Sequence, residues 1–278
     1  MQPEPFDPLA VFAPDLFAGT TALVTGGGRG MGKATALGFA RYGGNVIIAS
    51  NEPNELAEVA PEIEALGVGC LTVDVNIRDT SSVDRLRDQS LERFGAVDFV
   101  INNAGGQFQA TPFDISDNGW RSVVDLNLNG TWNMCSRFMP HLMERGRGAI
   151  VNIVHIYSFE RGAPMFAHSG AARAGVVNLT RSLAPYLEAR NVTINALAPG
   201  VTVSPAAAAN YGYTEEEWRA QPSRSRYADP DDMAGIILFL CSPAARMING
   251  AVVVADAAAT QTNWAGLDEL LDGVNTSA

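Results

Sequence analysis

Thr25-Gly26-Gly27-Gly28-Arg29-Gly30-Met31-Gly32 decides the reading of this chain. It follows a short apolar run, Thr21 to Thr25 (TALVT), and it opens a helix-patterned stretch from Gly30 to Tyr42. Glycines let a chain turn tightly and bring its backbone close to a ligand. A helix that starts at such a turn offers unpaired N–H groups and the positive end of its dipole. Strand, glycine turn and helix in this order therefore predict an anion-binding corner.

Outward from the turn the same alternation repeats. Further strands are expected at Asn45–Ala49, Gly69–Val73, Val97–Ile101, Ala149–Val154, Val192–Ala196 and Ala251–Ala255. Helices are expected at Asn54–Leu66, Thr80–Phe94, Asp117–Glu144, Pro164–Arg190 and Asp231–Cys241, with a kink or early end at Pro185. Short β-branched runs separated by helices of this length predict a doubly wound, mostly parallel sheet of seven strands with helices on both faces. The fold class is thus α/β, a single Rossmann-type domain, with ligands beyond the carboxyl ends of the strands. In that context the glycine turn is read as a dinucleotide site. The domain is expected over residues 18–256, after an N-terminal extension at 1–17 and before a tail at 257–278. The stretch from Val201 to Tyr227 (a lid of about residues 201–228) breaks the rhythm with Ala, Pro, Ser and Tyr, and is expected to be mobile.

Composition narrows the partners. The chain has 278 residues, 47% of them hydrophobic, enough for one large core. Lys plus Arg number 19 against 30 Asp plus Glu, a net charge of −11, which argues against a nucleic-acid partner. Cys70, Cys135 and Cys241 are scattered, so neither a disulfide framework nor a zinc site is expected. They read as buried small hydrophobes. His141 and His168 read as structural, and no metal is expected. The acidic, Pro-rich start lacks the features of a signal peptide. No apolar run reaches the roughly 20 residues of a membrane span, and Thr276-Ser277-Ala278 matches no peroxisomal or ER-retention ending. The expectation is a cytoplasmic protein with no membrane contact.

The form of the dinucleotide turns on the end of the second strand. A carboxylate there would hold ribose hydroxyls, but this chain has Ser50, then Asn51 and Glu52. Ser50 does not repel a 2′-phosphate, and the Arg29 guanidinium suits one. NADPH is therefore favoured, NADH remains the alternative, and Glu52 would reverse the preference if it turned inward.

Four more stretches carry a resemblance: Asp74-Val75, Asn102-Asn103-Ala104-Gly105, Asp125-Leu126-Asn127 and Pro199-Gly200. With the glycine turn they resemble the short-chain dehydrogenase/reductase family over nearly everything from Ala18 to Val254. The resemblance implies cofactor contacts from Gly26, Arg29, Gly30, Met31, Gly32, Ser50, Asn51, Asp74 and Val75. It implies further ones from Asn102, Ala104, Gly105, Arg173, Pro199, Gly200, Val201 and Thr202. Asp74 would bind adenine, Asn127 would join a proton relay, and Pro199 to Thr202 would lie along the nicotinamide.

The family's usual Ser and Tyr-x-x-x-Lys are replaced here. His155 stands at the Ser, Ser169 at the Tyr and Arg173 at the Lys. INNAGGQF, HSGAARAGV and NLT resemble peroxisomal trans-2-enoyl-CoA reductases. HIYSFERG resembles 2,4-dienoyl-CoA reductases, which place their acid Tyr upstream; Tyr157 matches that residue, and Asn129 matches an Asn that assists it.

The candidate catalytic residues are therefore Tyr157, Asn127, His155, Ser169 and Arg173. Carbonyl reduction needs a proton donor at oxygen, and a phenol with a pKa of about 10 must be tuned by nearby positive charge. Ser169 is too weak an acid, and Arg173 lends charge but does not pass protons as Lys does. Reducing a conjugated C=C requires mainly hydrogen-bond donors at a developing enolate oxygen. An NADPH-dependent enoyl reductase is the leading reading, with an apolar or CoA-linked small-molecule substrate. The alternatives are a ketone or alcohol oxidoreductase using Tyr157 or His155, and a non-catalytic cofactor-binding scaffold. Phe108, Phe159, Phe166, Tyr211, Tyr213, Trp218 and Tyr227 are candidates for an apolar pocket wall, and Arg219, Arg224 and Arg226 lie in the lid region. The resemblance also implies a homo-tetramer or homodimer built on the two long helices, where Ala167, Ala171 and Ala174 allow close packing.

Overall fold

The computed structural model describes residues 7–159, 162–210, 212–221 and 226–261. Among these, the strands are β1 (Thr21–Thr25), β2 (Asn45–Ser50), β3 (Cys70–Asp74), β4 (Phe99–Asn102), β5 (Gly148–Ile153), β6 (Val192–Pro199) and β7 (Val252–Ala255). The helices are α1 (Gly30–Arg41), α2 (Pro53–Glu64), α3 (Thr80–Phe94), α4 (Asp117–Val124), α5 (Gly130–Arg145), α6 (Ala167–Glu188), α7 (Pro205–Asn210), α8 (Glu215–Arg219) and α9 (Pro230–Cys241). The sheet order is β3-β2-β1-β4-β5-β6-β7, and every pairing is parallel.

β1 is buried at every position, because its branched residues pack helices on both sides. One apolar layer lies under α1, α2 and α9, the other under α3 and α5. The order reverses between β1 and β4, which places the crevice for a ligand at their carboxyl ends. Register brings the site residues to that edge. Thr25 pairs with Ala49, Ser50 with Asp74, Asn102 with Asn152, and Pro199 with Ala255.

The N-terminal stretch from residue 7 is fixed to the domain. Phe17 is fully buried, its ring 4.6 Å from that of Phe39. The Tyr42 hydroxyl donates to the Leu9 carbonyl, and Arg41 pairs with Asp7 at 2.8 Å. Burying a Phe of this kind contributes about 2–3 kcal/mol.

Two helix expectations are corrected. The helix expected from Asp117 to Glu144 is interrupted by a π-helical turn at Asp125–Asn129. The Asn127 side chain donates back to the Val123 carbonyl at 2.8 Å, and the Thr131 hydroxyl donates to the Asn127 carbonyl at 2.8 Å. These side-chain bonds accompany the widened turn, a feature frequent at functional sites. The helix expected from Pro164 starts as a 3₁₀ turn and becomes α-helical at Ala167. It runs through Pro185 and ends at Glu188, just short of the expected Arg190. Cys135 and Cys241 are buried as expected, whereas Cys70 is only half-buried.

The stretch read as a lid is anchored at both ends. Val203 N–H donates to the Ala228 carbonyl and Ala228 N–H to the Val201 carbonyl, each at 2.9 Å. Between them lie α7 and α8, and the Tyr227 hydroxyl donates to the Gln221 carbonyl at 3.2 Å. Tyr211 and Arg224 lie outside the described residues.

Candidate functional site

The glycine turn has no room for side chains at Gly26, Gly27, Gly28 and Gly32. A Cβ on Gly32 would strike the Gly26 carbonyl oxygen and come within 2.6 Å of Asn103 Nδ2. One on Gly27 would lie 2.6 Å from Ile48. Gly26 has φ of +65°, in the left-handed region. Thr25 ties this turn to the loop after β4. Its hydroxyl donates to the Ile101 carbonyl (3.2 Å) and accepts from the Asn103 (3.1 Å) and Ala104 (3.0 Å) N–H groups. Asn103 Nδ2 donates to the Thr25 carbonyl at 2.8 Å. No side chain caps α1, so its first N–H groups face outward from the sheet edge, ready for a pyrophosphate.

A cavity of about 120 Å³ continues from the turn, lined by Ala49, Ser50, Asn51, Val75, Asn76, Ile77, Arg78, Ala104 and Leu126. Asp74, next in the chain to the lining residue Val75, is exposed, and Val75 is buried. The Ser50 hydroxyl accepts from the Glu52 N–H at 3.2 Å, and Glu52 is exposed. Arg29 pairs with Glu55, on the first turn of α2, at 3.1 Å. The guanidinium favoured for a 2′-phosphate thus already has a carboxylate neighbour.

At the other end of the crevice, Val154 N–H donates to the Leu197 carbonyl at 2.8 Å and the chain turns back, Ser158 N–H reaching the His155 carbonyl at 2.9 Å. This stacks His155 and Tyr157, ring centres 4.6 Å apart, and puts the Tyr157 N–H 3.2 Å from His155 Nδ1. Tyr157 also packs on the apolar cluster of Val154, Val176 and Ala196. Arg173 reaches back from α6 and donates to the Ile153 carbonyl. It forms no ion pair among the described residues, and burial pulls its pKa down to about 10, so it keeps its charge at neutral pH. Burial, helped by the Arg173 cation, pushes His155 down to about 4. Gly105 makes room for both Arg173 and Asn127, since a Cβ there would strike the guanidinium and lie 2.7 Å from Asn127 Oδ1.

A model described as Enoyl-(Acyl carrier protein) reductase matches residues 26–260. The chain belongs to the short-chain dehydrogenase/reductase family. It is 33% identical over 234 residues to 3-oxoacyl-(acyl-carrier-protein) reductase FabG of Staphylococcus aureus, covering 84% of this chain and 95% of that one. It is 32% identical over 272 residues to the peroxisomal 2,4-dienoyl-CoA reductase of Rattus norvegicus, covering 96% of this chain and 93% of that one. Among solved structures, the citronellol catabolism dehydrogenase AtuB of Pseudomonas aeruginosa PAO1 superposes with a TM-score of 0.79 at 31% identity. That match covers 92% of this chain and 100% of AtuB. The protein is therefore an NAD(P)-dependent oxidoreductase, and the tight glycine turn, uncapped α1 and adjoining cavity fit such a dinucleotide. No helix of the described residues is long and apolar enough to cross a membrane.

Against that family pattern, the structure brings together His155, Tyr157, Ser169 and Arg173 at the ends of β5 and α6. Pro199 ends β6, and Gly200, Val201 and Thr202 follow it at the same sheet edge. Asn127 lies beside them but is fully engaged. Its Nδ2 donates to the Gly106 carbonyl at 2.7 Å and its Oδ1 accepts from the Gly106 N–H at 3.2 Å. It positions the 105–106 loop. Asn129 is exposed and donates to Asp125 at 2.7 Å, so the structure leaves it outside the cluster. Phe108 is half exposed and meets His168 edge-on, ring centres 4.4 Å apart.

Several participants escaped sequence reading. Glu55 is one, signalled only by the short link from β2 to α2. Asn152 is another: it accepts from Asn102 Nδ2 at 2.8 Å and donates to the Thr180 hydroxyl at 2.9 Å, a polar ladder beneath the site. Ser158 and His168, the latter read as structural, are buried with no hydrogen-bond partner on the Ser158 hydroxyl or either His168 nitrogen. The Ser169 hydroxyl and Arg173 Nε share that condition. Buried polar atoms without partners are costly, so these five, on four residues, point to polar ligand atoms that complete them.

Proposed function

We propose that this oxidoreductase reduces a conjugated C=C, in an enoyl thioester or enone, with NADPH as the hydride source. The observation that carries the reading is the fixed Arg173 cation beside His155 and Tyr157, with Ser169 where a Tyr would work with a Lys. A bound NADPH supplies hydride to the β-carbon of the substrate. Electron density then moves to the carbonyl oxygen, and the chain must hold an enolate. Arg173 stabilises that charge without taking part in proton transfer, because its pKa stays well above neutrality. The Ser169 hydroxyl, unpartnered in the protein itself, supplies a donor. Tyr157 is assigned the proton that goes to the α-carbon, after which solvent restores its own. The half-exposed Phe108 and Met165 offer apolar surface to the rest of the substrate.

The preference for NADPH rests on Arg29. Its pair with Glu55 is open to solvent on the Arg29 side, and such pairs are worth at most about 1 kcal/mol, so a 2′-phosphate competes for the guanidinium. The reading includes a cytoplasmic homo-tetramer or homodimer. The exposed Trp120, Trp132 and Tyr186 on α4, α5 and α6 support that assembly, and light scattering that returns a monomer would remove it.

The decisive assay follows NADPH oxidation with enoyl thioesters, simple enones and ketones of matched chain length. Turnover of the conjugated substrates above the ketones is expected. Good ketone reduction with no enoyl or enone turnover would favour the alternative carbonyl chemistry instead.

A further inference from the structure

His155 lies two residues beyond β5 and begins the turn that carries Tyr157. The Tyr157 backbone N–H points at His155 Nδ1 from 3.2 Å. A backbone amide only donates, so Nδ1 must present a lone pair. A neutral imidazole in that position carries its proton on Nε2. Nε2 has no hydrogen bond to a described residue, and His155 is partly rather than fully buried, which leaves that N–H for a partner outside the protein. The Tyr157 ring, tilted by 34°, fixes one face of the imidazole.

We propose that His155 donates a hydrogen bond from Nε2–H to the substrate's carbonyl oxygen, as a neutral electrophile and not as a proton carrier. This deepens the enolate reading above and rests on it for the substrate. The donor role itself applies to any carbonyl oxygen that gains charge. Charge around the ring agrees with it. Arg173 from α6 and the Tyr157 phenol from its own turn are the ionisable groups that face it, and no carboxylate among the described residues holds a proton on it. Burial and Arg173 together disfavour imidazolium, which would put a second cation beside the first. Beside the Ser169 donor, the labour divides three ways. Arg173 gives fixed charge, His155 gives a directed donor, and Tyr157 remains to move the proton.

The test uses the full chain. Nitrogen-15 NMR of the histidine rings, with His155 identified by its loss in His155→Asn, should show the Nε2–H tautomer from about pH 5 to 9 without a titration. A midpoint near the ordinary histidine value would overturn the proposal. In kinetics, His155→Phe should lower kcat on the order of 10²-fold, while the NADPH Kd stays within about twofold. His155→Asn keeps a donor and should regain roughly tenfold of that loss. Unchanged kcat in His155→Phe, or a wild-type pH limb that disappears in His155→Asn, would overturn it. If His155→Phe does not fold, the NMR and the Asn variant still decide. The same variants are assayed on a ketone. No enoyl turnover together with a ketone activity that His155→Phe removes would sink the C=C reading and leave the His155 donor standing.

Discussion

The glycine turn after β1, tied to the loop after β4, and the stretch that leads from β5 into α6 share one edge of the sheet and treat polar atoms in opposite ways. In the first, the Thr25 hydroxyl makes three hydrogen bonds, Asn103 ties the same turn, and Gly26, Gly27, Gly28 and Gly32 leave no gap a methyl group could fill. In the second, Ser158, His168, Ser169 and Arg173 Nε are buried without partners. The first region fixes its backbone through its own side-chain bonds before any ligand arrives, so it can present the uncapped N–H groups of α1 at fixed positions. The second leaves donors and acceptors for something else to satisfy. A preformed cradle suits a cofactor that all members of a family share, and an incomplete pocket suits the group that distinguishes one substrate from another.

Substitutions can break this contrast. Gly32→Ala should have the largest effect, because the new methyl group meets Gly26 and Asn103 with nowhere to go. A cost of about 3 kcal/mol, roughly 10²-fold in dinucleotide Kd, is expected; isothermal titration with unchanged affinity would show that the turn is looser than described. Thr25→Val removes one donor and strands two N–H groups, and should lower stability by about 2 kcal/mol in urea denaturation. Arg29→Ala should weaken NADPH roughly tenfold while leaving NADH alone, and Glu55→Gln should move the ratio slightly the other way. Equal losses for both cofactors would mean that Arg29 does not read the 2′-phosphate. Smallest in stability is Ser169→Ala, with a change within about 0.5 kcal/mol, since its hydroxyl is bonded to nothing in the protein. Its effect should fall on kcat, because its donor serves the charge that develops on the substrate oxygen. A stability loss as large as that of Thr25→Val would erase the distinction between the two regions.

The same division governs what could be read from sequence. The alternation of β-branched runs with helical patterns was legible, and with it the carboxyl-edge placement of Thr25, Ser50, Asp74, Asn102 and Pro199. The π-turn at Asp125–Asn129 was not, because the helical pattern runs straight through it and only the Asn127 and Thr131 side-chain bonds reveal it. The Arg29–Glu55 pair joins two successive βα units, a contact that no local pattern encodes. The unpartnered state of His168 depends on what covers it, including Phe108 from a loop distant in sequence. Substitution of the usual Tyr and Lys by Ser169 and Arg173 was plain in the sequence, but the structure was needed to show Arg173 turned back on Ile153 beside His155.

The central claim is that hydride goes to a C=C conjugated with a carbonyl, not to the carbonyl itself. An enone offers both targets in one molecule, so deuterium-labelled NADPH can report the choice directly. Carbon NMR of the product should find deuterium on the β-carbon of a saturated ketone. Deuterium on a carbinol carbon, with the C=C intact, would contradict the account.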